Sequence, residues 1–176
     1  EMCIRDSDRI LVNKMAYDLR LPFTHISMLK LADPQRGDII VFDSEVSDKR
    51  LVKRVVGLPG DVVAMIDNVL IINGQALNYQ NKLLSKHYAD KTENLLGLEH
   101  MVRTLPHGSM LSNFNPVKVP AGHYLALGDN RDNSADSRVI GFVPREEIVG
   151  RSRSVVLSFD YDNYYMPRSD RYFQSL

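Results

Sequence analysis

Short apolar runs alternate with polar turns along most of this chain of 176 residues. The runs are rich in Val, Ile, Leu and Tyr and end at Gly, Pro or Asn, a pattern that predicts strands. The dipeptide Asn73-Gly74 between two such runs predicts a tight hairpin. The predicted strands cover residues 9–14, 38–42, 51–56, 62–66, 69–72, 76–79, 123–127 and 154–159. The fold class is therefore mainly β, built from antiparallel sheets.

The strand pattern divides the chain into one main β domain and a weaker segment inside it. Residues 8–79 and 117–163 carry the clear strands, whereas residues 80–116 are more polar and predict a smaller inserted lobe or a long excursion. Residues 1–7 show no local pattern and are interpreted as a non-native scar from cloning or sequence assembly. Residues 164–176 are predicted to be a C-terminal tail, whose aromatic side chains pack against the domain or rest at a membrane interface.

The overall composition fits a globular body with a sizeable core. The chain is 44% hydrophobic and carries 22 basic and 22 acidic residues, so its formal net charge is zero. This balance argues against nucleic acid as a partner, because phosphate binding requires a basic excess or patch. No apolar run reaches the roughly 18 residues expected of a membrane-spanning helix. The single cysteine, Cys3, cannot form an internal disulfide.

Lys53 is the first candidate for chemistry. It lies in the run 50–56, RLVKRVV, where the period of two in a strand puts it on the same face as Leu51 and Val55. An ammonium group held against apolar neighbours loses hydration, which lowers its pKa and lets the amine take a proton from a serine hydroxyl. The alternative interpretation is a solvent-facing lysine that protects an edge strand from mispairing.

The second candidate is the polar segment 128–138, GDNRDNSADSR. It holds three aspartates and two arginines among asparagines and serines, which readily hydrogen-bond their own backbone. We expect a tightly hydrogen-bonded loop, anchored by the runs 122–127 and 141–144 on either side. Its charges can pair within the site, and Ser134 can hydrogen-bond a nearby lysine amine and hold it in one orientation.

A calcium loop is a competing interpretation of this segment, because Asp132, Ser134 and Asp136 alternate in sequence. The match ends there: Ser137 stands where an EF-hand needs glycine, and Val143 where it needs a bidentate glutamate. A generic solvated loop is the remaining alternative.

Taken together, the lysine run and the polar segment resemble the bacterial type I signal peptidases, also called leader peptidases. Residues 36–42, RGDIIVF, are similar to the family's strand ahead of the lysine. Residues 8–14, DRILVNK, are similar to the piece after its nucleophile, and residues 158–160, SFD, to its closing strand. The matches keep the family's order and are weakest from about Asn78 to Val119. The resemblance implies a catalytic β domain of antiparallel sheets with a smaller inserted lobe.

The resemblance also implies a role for each candidate residue. Lys53 would be the general base of a Ser-Lys dyad, and Ser134 would orient it. No metal and no cofactor are implied. The supporting network of ion pairs and hydrogen bonds would comprise Arg54, Asp129, Arg131, Asp136 and Arg138.

The nucleophile of the family lies in a Ser-Met-x-Pro-Thr type motif just ahead of the aspartate that matches Asp8. Counting back from Asp8 puts that serine upstream of Glu1. We therefore expect the printed chain to carry a base and its support without the serine, and to be inactive or nearly so.

Other nucleophilic residues fit the family pattern poorly. Ser27-Met28 and Ser109-Met110 repeat the first two residues of the motif, but neither precedes Pro-Thr, and both follow the strand that should come after the nucleophile. Cys3 and Ser7 fall after the expected position, in the unmatched segment 1–7. We interpret all of them as residues without a catalytic role.

By resemblance, the activity is that of signal peptidase I, a serine endopeptidase that removes signal peptides from secretory preproteins after small side chains. Such an enzyme lies at the bacterial inner (plasma) membrane, against the lipid surface, with its catalytic domain on the outer, periplasmic face. Two alternatives stay open. A self-cleaving repressor would use the same Ser-Lys chemistry, but the sequence shows no helix-turn-helix. A non-catalytic β-barrel module would bind peptides along a sheet edge.

Overall fold

The computed structural model describes residues 8–20, 27–160, 166–167 and 174–175, and the side chains of residues 10–19 and 28–153. Cys3, Ser7, the side chain of Ser27 and the aromatic side chains of the tail lie outside the described residues, as does the interpretation of residues 1–7.

Antiparallel strands make up most of the described chain. The first half contains β1 (Asp8–Asn13), β2 (Asp18–Arg20), β3 (Ser27–Lys30), β4 (Ile39–Ser44), β5 (Lys49–Gly57), β6 (Val62–Ile66), β7 (Val69–Ile72) and β8 (Gln75–Ala76). The second half contains β9 (Asn78–Leu84), β10 (Ala89–Leu95), β11 (Leu98–Thr104), β12 (Phe114–Lys118), β13 (His123–Leu127), α1 (Ser137–Ile140), β14 (Val143–Pro144), a 3-10 turn (Arg145–Glu147), β15 (Ile148–Asp160), β16 (Met166–Pro167) and β17 (Gln174–Ser175). The prediction of a mainly β fold is confirmed.

The largest sheet has 8 strands, with the order β1-β15-β4-β5-β13-β14 and with β16 and β17 added to β15. A 4-stranded sheet has the order β12-β6-β7-β8, a 3-stranded sheet the order β11-β10-β9, and β2 pairs with β3. The segment 80–116 therefore carries most of a small sheet of its own, β9–β11, called the inserted sheet below. Sequence periodicity missed β10 and β11, because polar residues occupy many of their positions.

Strands with a clear apolar pattern agree with their predictions. β6, β7 and β13 have the predicted bounds, and the turn at Asn73 and Gly74 has φ values of 52° and 82°, as a tight hairpin requires. The predicted strand 76–79 was wrong at Leu77. There the chain passes from one sheet to the next, and Leu77 is buried while its N–H donates to Leu70 O at 2.9 Å.

Two hydrophobic clusters lie on opposite faces of β5. Val56 belongs to a cluster with β6, β7 and Leu95 of the inserted sheet. Val55 belongs to a second cluster with Ile40 and Phe42 of β4 and with β13. Because successive side chains of a strand point to opposite faces, each position of β5 faces one cluster or the other. This alternation sets the environment of every functional side chain on the strand.

Candidate active site

Lys53 lies in the middle of β5, opposite Ile40 of β4. Its neighbours on the same face, Leu51 and Val55, both pack in the second hydrophobic cluster, as the period of two predicts. Lys53 itself is partly buried, and among the described residues it has no ion pair. Burial lowers the pKa of its amine, and the Arg138 guanidinium adds to that effect. The carboxylates of Asp136 and Asp129 oppose the shift without cancelling it.

Strand pairing brings the polar segment 128–138, called the polar loop below, next to this amine. Leu127 at the end of β13 pairs with Arg54 of β5. Gly128 follows Leu127, so the antiparallel register puts it alongside Lys53. A methyl group added to Gly128 would overlap Ser134 Oγ and lie 2.6 Å from Ser134 Cβ. Ser134 therefore packs directly on Gly128, at the strand position that adjoins the lysine.

Ser134 Oγ is buried and has no hydrogen-bond partner among the described residues, Lys53 included. A buried hydroxyl without a partner has lost its hydrogen bonds to water and has gained no others, which is unfavourable. The role of Ser134 in orienting the lysine stays a prediction, and its hydroxyl is free to take a partner.

Arg54, the next residue on β5, faces the opposite side and forms a buried ion pair. Its Nε and Nη2 donate to the two carboxylate oxygens of Asp129 at 3.0 and 2.9 Å, and its Nη1 donates to Gly37 O at 3.0 Å. Burial alone would raise the pKa of Asp129, but the charge and hydrogen bonds of Arg54 outweigh it and lower that pKa. The pair is held by a bidentate geometry that favours ionised partners.

Asp136 and Arg138 form a second ion pair, at the far end of the polar loop. Arg138 Nε and Nη2 donate to Asp136 at 2.8 and 2.6 Å, and Gly128 N–H donates to the same carboxylate at 2.9 Å. Asp136 also caps α1, because Arg138 N–H donates to it. Asp136 thus ties the end of the loop back to Gly128, beside the lysine.

Arg131 is fully buried and pairs with a residue that sequence reasoning missed. Its Nη1 and Nη2 donate to Glu93 of β10, each at 2.7 Å, and Tyr79 OH donates to Glu93 as well. His100 of β11 lies on the other side, with Nε2 at 3.0 Å from Glu93 Oε1. Burial would raise the pKa of Glu93, but Arg131 and His100 lower it well below its usual range.

The five charged residues of the predicted network are therefore divided among three separate ion pairs. The structure joins Arg54 with Asp129 and Asp136 with Arg138, while Arg131 reaches across to the inserted sheet. The sequence offered one signal for this arrangement: charged residues recur among the apolar positions of residues 89–104, at Asp90, Glu93 and Arg103. Buried charges of that kind require partners.

Asp132 fixes the middle of the polar loop to two turns. It accepts hydrogen bonds from Ser109 Oγ at 2.5 Å, Ser112 Oγ at 2.8 Å, Asn68 Nδ2 at 2.9 Å and Leu105 N at 2.7 Å. Ser109, one of the two Ser-Met serines, is thereby engaged with Asp132. Asp132 and Asp136 have separate partners, and no group of three metal-ligating side chains occurs in the described part of the chain.

Comparisons with known proteins identify relatives of this chain. A family profile described as "Signal peptidase, peptidase S26" matches residues 2–157. Signal peptidase I of Pseudomonas fluorescens is 42% identical over 171 residues, covering 86% of this chain and 59% of the relative. Signal peptidase I T of Bacillus subtilis is 36% identical over 158 residues, covering 89% of this chain and 68% of the relative. The chain thus spans only 59% of the length of the two Pseudomonas relatives.

A crystal structure of a signal peptidase I from Enterococcus faecalis is 30% identical, with a TM-score of 0.45, covering 69% of this chain and 98% of that chain. Within the described residues, no helix has the length and apolar character needed to cross a membrane.

Proposed function

The chain belongs to the signal peptidase family of S26 peptidases, and on that premise we propose that it carries the general base of a serine endopeptidase that removes signal peptides from secretory preproteins. Lys53 is that base. The observation that carries the proposal is its environment: an amine packed between Leu51 and Val55, with a lowered pKa and no ion pair among the described residues. Such an amine is neutral over more of the working pH range and can accept a proton.

The reaction divides between the lysine and a serine. Lys53 Nζ takes the proton of the serine Oγ as that oxygen bonds to the peptide carbonyl carbon. The protonated amine then gives its proton to the leaving nitrogen as the carbon–nitrogen bond breaks, which leaves an acyl-enzyme. Water, deprotonated by the same amine, hydrolyses the ester and restores the serine.

Ser134 orients the lysine in this proposal. Its hydroxyl is buried, packs on Gly128 next to the strand position of Lys53, and has no other partner among the described residues. A hydrogen bond to Nζ would satisfy the hydroxyl and aim the amine at the substrate. Asp136, Arg138, Asp129 and Arg54 then fix the loop and strand that carry the two groups.

We assign the nucleophile to the segment ahead of β1, outside the described residues. No described serine is hydrogen-bonded to Lys53, and Ser109 is engaged with Asp132. In this proposal activity needs a serine in that segment, placed within reach of Lys53 Nζ.

The substrates in this proposal are preproteins at a membrane, cut on its outer face. Support for a lipid surface comes from the β2–β3 hairpin, where Leu19 pairs with Leu29 and both are largely exposed. Met28 of β3 is 64% exposed, and Leu31, which directly follows β3, is 49% exposed. Exposed apolar side chains on one hairpin fit a lipid interface better than water.

The test of activity uses the full-length product of the gene. We expect it to cleave a preprotein with an Ala-x-Ala site, and Lys53→Met to lower kcat/KM by at least ~10³-fold, because the serine loses its base. Lys49→Met is the matched control, since Lys49 lies on the same strand but is exposed. It should change kcat/KM less than about twofold.

The titration of Lys53 is a second, direct measurement. Carbon-13 labelling of the lysine side chains gives the pKa of each amine by nuclear magnetic resonance. Full activity of Lys53→Met, or titration of Lys53 near the ordinary value of about 10.4, would overturn the proposed role. A chain that binds preprotein peptides equally well with either lysine variant but never cleaves them would instead be a peptide-binding module.

Vesicle flotation tests the lipid surface. Met28→Glu together with Leu29→Glu should reduce binding of the protein to phospholipid vesicles. Met110→Glu is the control, because Met110 is 97% exposed on a different turn. Equal binding of both variants would assign the membrane contact to some other part of the protein.

A further inference from the structure

His100 of β11 lies between two carboxylates. Its Nε2 is 3.0 Å from Glu93 Oε1, and its Nδ1 is 3.7 Å from Asp129 Oδ1. The side chain is only 5% exposed, and Nδ1 has no hydrogen-bond partner among the described residues. Each ring nitrogen therefore faces one acidic group, and the ring can attract both carboxylates only when both nitrogens carry a proton.

The carboxylate on the Nδ1 side is the partner of Arg54. Asp129 Oδ1, the oxygen that faces His100, also accepts the hydrogen bond from Arg54 Nε. Arg54 adjoins Lys53 on β5, and the negative charge of Asp129 raises the pKa of Lys53 against the effect of burial. Any positive charge or N–H that offsets Asp129 therefore favours the neutral amine.

The carboxylate on the Nε2 side has several partners besides His100. Glu93 is fully buried and holds Arg131 by two hydrogen bonds of 2.7 Å. Tyr79 of β9 donates to it as well. The charged or titratable groups around His100 are thus Glu93 from β10, Tyr79 from β9, Asp129 and Arg131 from the polar loop, and Arg54 from β5.

The inserted sheet also holds the backbone on either side of Asp129. Arg103 N–H donates to Asp129 O at 2.8 Å, and Arg131 N–H donates to Arg103 O at 2.8 Å. At the tip of the β10–β11 hairpin, Leu98 packs so tightly on Gly37 that a methyl group there would overlap it. Gly37 O is the other acceptor of Arg54. Both acceptors of Arg54 are therefore backed by the inserted sheet.

An uncharged packing role does not explain a histidine at this position. An apolar side chain would fill the same space without placing a polar ring between two buried carboxylates, and unpaired buried polar groups destabilise the fold. The geometry instead suits a group that offsets negative charge on both sides.

We propose that His100 is a positioning residue for Lys53: its Nδ1 side holds and partly neutralises Asp129, its Nε2 side is anchored on Glu93, and the inserted sheet thereby sets the state of the general base. The inference rests on the proposed function of Lys53. It goes beyond that function by giving the inserted sheet a part in the chemistry without contact with substrate.

Two substitutions separate the two ring nitrogens. His100→Gln keeps a donor near the Nε2 position, facing Glu93, and removes the donor that faces Asp129. His100→Asn keeps a donor near Nδ1, facing Asp129, and removes the one that faces Glu93. We expect His100→Gln to raise the pKa of Lys53 by about half a unit, and His100→Asn to change it much less. In the active gene product, the acid limb of kcat/KM should move to higher pH by the same amount in His100→Gln.

Nuclear magnetic resonance of lysine-labelled protein gives the result independently of cleavage. A lowered pKa of Lys53 that is the same in wild type, His100→Gln and His100→Asn overturns the positioning role and leaves the proposed function intact. A wild-type Lys53 that titrates near the ordinary value of about 10.4 overturns the proposed function instead.

A wild-type measurement keeps the inference testable if a variant fails to fold. Nitrogen-15 chemical shifts of the His100 ring show which nitrogens carry protons at the pH of activity. The proposal requires a proton on Nδ1, the ring nitrogen that faces Asp129. A bare Nδ1 facing the ionised Asp129 would repel that carboxylate and overturn the proposal.

Discussion

Lys53 and Arg54 are neighbouring cations on β5 with opposite environments. Lys53 lies on the face of Leu51 and Val55, without an ion pair among the described residues, and its pKa is lowered. Arg54 lies on the other face, 5% exposed, with Asp129 and Gly37 O as partners. Neighbouring positions of one strand thus hold the proposed base and a structural ion. The alternation of side chains across a strand is sufficient to produce this difference.

The two faces also differ in what holds them. The Arg54 face connects through Asp129 and His100 to the buried pair of Glu93 with Arg131. The Lys53 face is packed by apolar side chains and by Ser134 on Gly128. Charge compensation stabilises the first face, whereas the second keeps an amine that burial disfavours. Substitutions on the two faces should therefore have effects of opposite sign.

The largest effect is expected from breaking the buried pair. Arg131→Ala leaves Glu93 buried without its main partner and should lower the free energy of unfolding by about 3–5 kcal/mol. Arg50→Ala is the matched control, because Arg50 forms a bidentate pair with Asp43 at 2.6 and 2.9 Å but is 57% exposed. It should cost less than about 1 kcal/mol. Urea denaturation measures both changes. Equal decreases in the free energy of unfolding would mean that burial does not strengthen the dependence of the fold on this ion pair.

The second-largest effect is expected in the pH dependence of stability, through the carboxylates on the Arg54 face. Glu93 and Asp129 have lowered pKa values in the folded state. Their contribution is complete above the unfolded values near pH 4 and is lost as the pH falls toward the folded values, at a cost of about 2–3 kcal/mol. We expect little change from these groups between about pH 5 and 8 and a steep fall below about pH 4. Unfolding by urea at a series of pH values checks this; a profile that stays flat to about pH 3 would contradict it.

Crowding Gly128 should disturb the lysine face. Gly128→Ala forces a methyl group against Ser134 Oγ and Cβ, and overpacking of this kind costs about 1–3 kcal/mol. In the active gene product it should also lower kcat, because Ser134 moves relative to Lys53. Ser134→Gly removes the clashing atoms, so the double variant should regain stability but not kcat. A double variant as unstable as Gly128→Ala would mean that the strain lies elsewhere.

The smallest effect should have the opposite sign. Lys53→Met replaces a desolvated amine by an apolar side chain and should raise the free energy of unfolding at pH 7 by about 1 kcal/mol. The lowered pKa also makes wild-type stability rise with pH, because the unfolded chain binds more protons between the folded pKa and about 10.4. Lys53→Met should remove that rise, and Lys49→Met, on the exposed end of β5, should leave it. A destabilised Lys53→Met would show that the amine stabilises the fold.

Sequence periodicity was sufficient for the strands with an apolar face. The alternation in 50–56 put Lys53 between Leu51 and Val55, and the polar loop was recognised from its composition. Periodicity failed for β10, whose sequence is ADKTENL with Glu93 fully buried. There Arg131, in a distant segment, compensates the charge of Glu93, and a local sequence pattern does not identify a partner 38 residues away. His100 was missed for the same reason, because its two carboxylates come from separate elements.

Contacts between distant segments also govern when the Arg54 ion pair can form. Arg54 and Asp129 are 75 residues apart in sequence, and contacts of such separation form only after long stretches of chain have been ordered. In a nascent or partly folded chain, Lys53 is an ordinary, fully hydrated and protonated lysine. The burial that lowers the pKa of Lys53 therefore exists only after the strands around it have paired, so the neutral amine is favoured in the folded protein and not in a chain that is still folding.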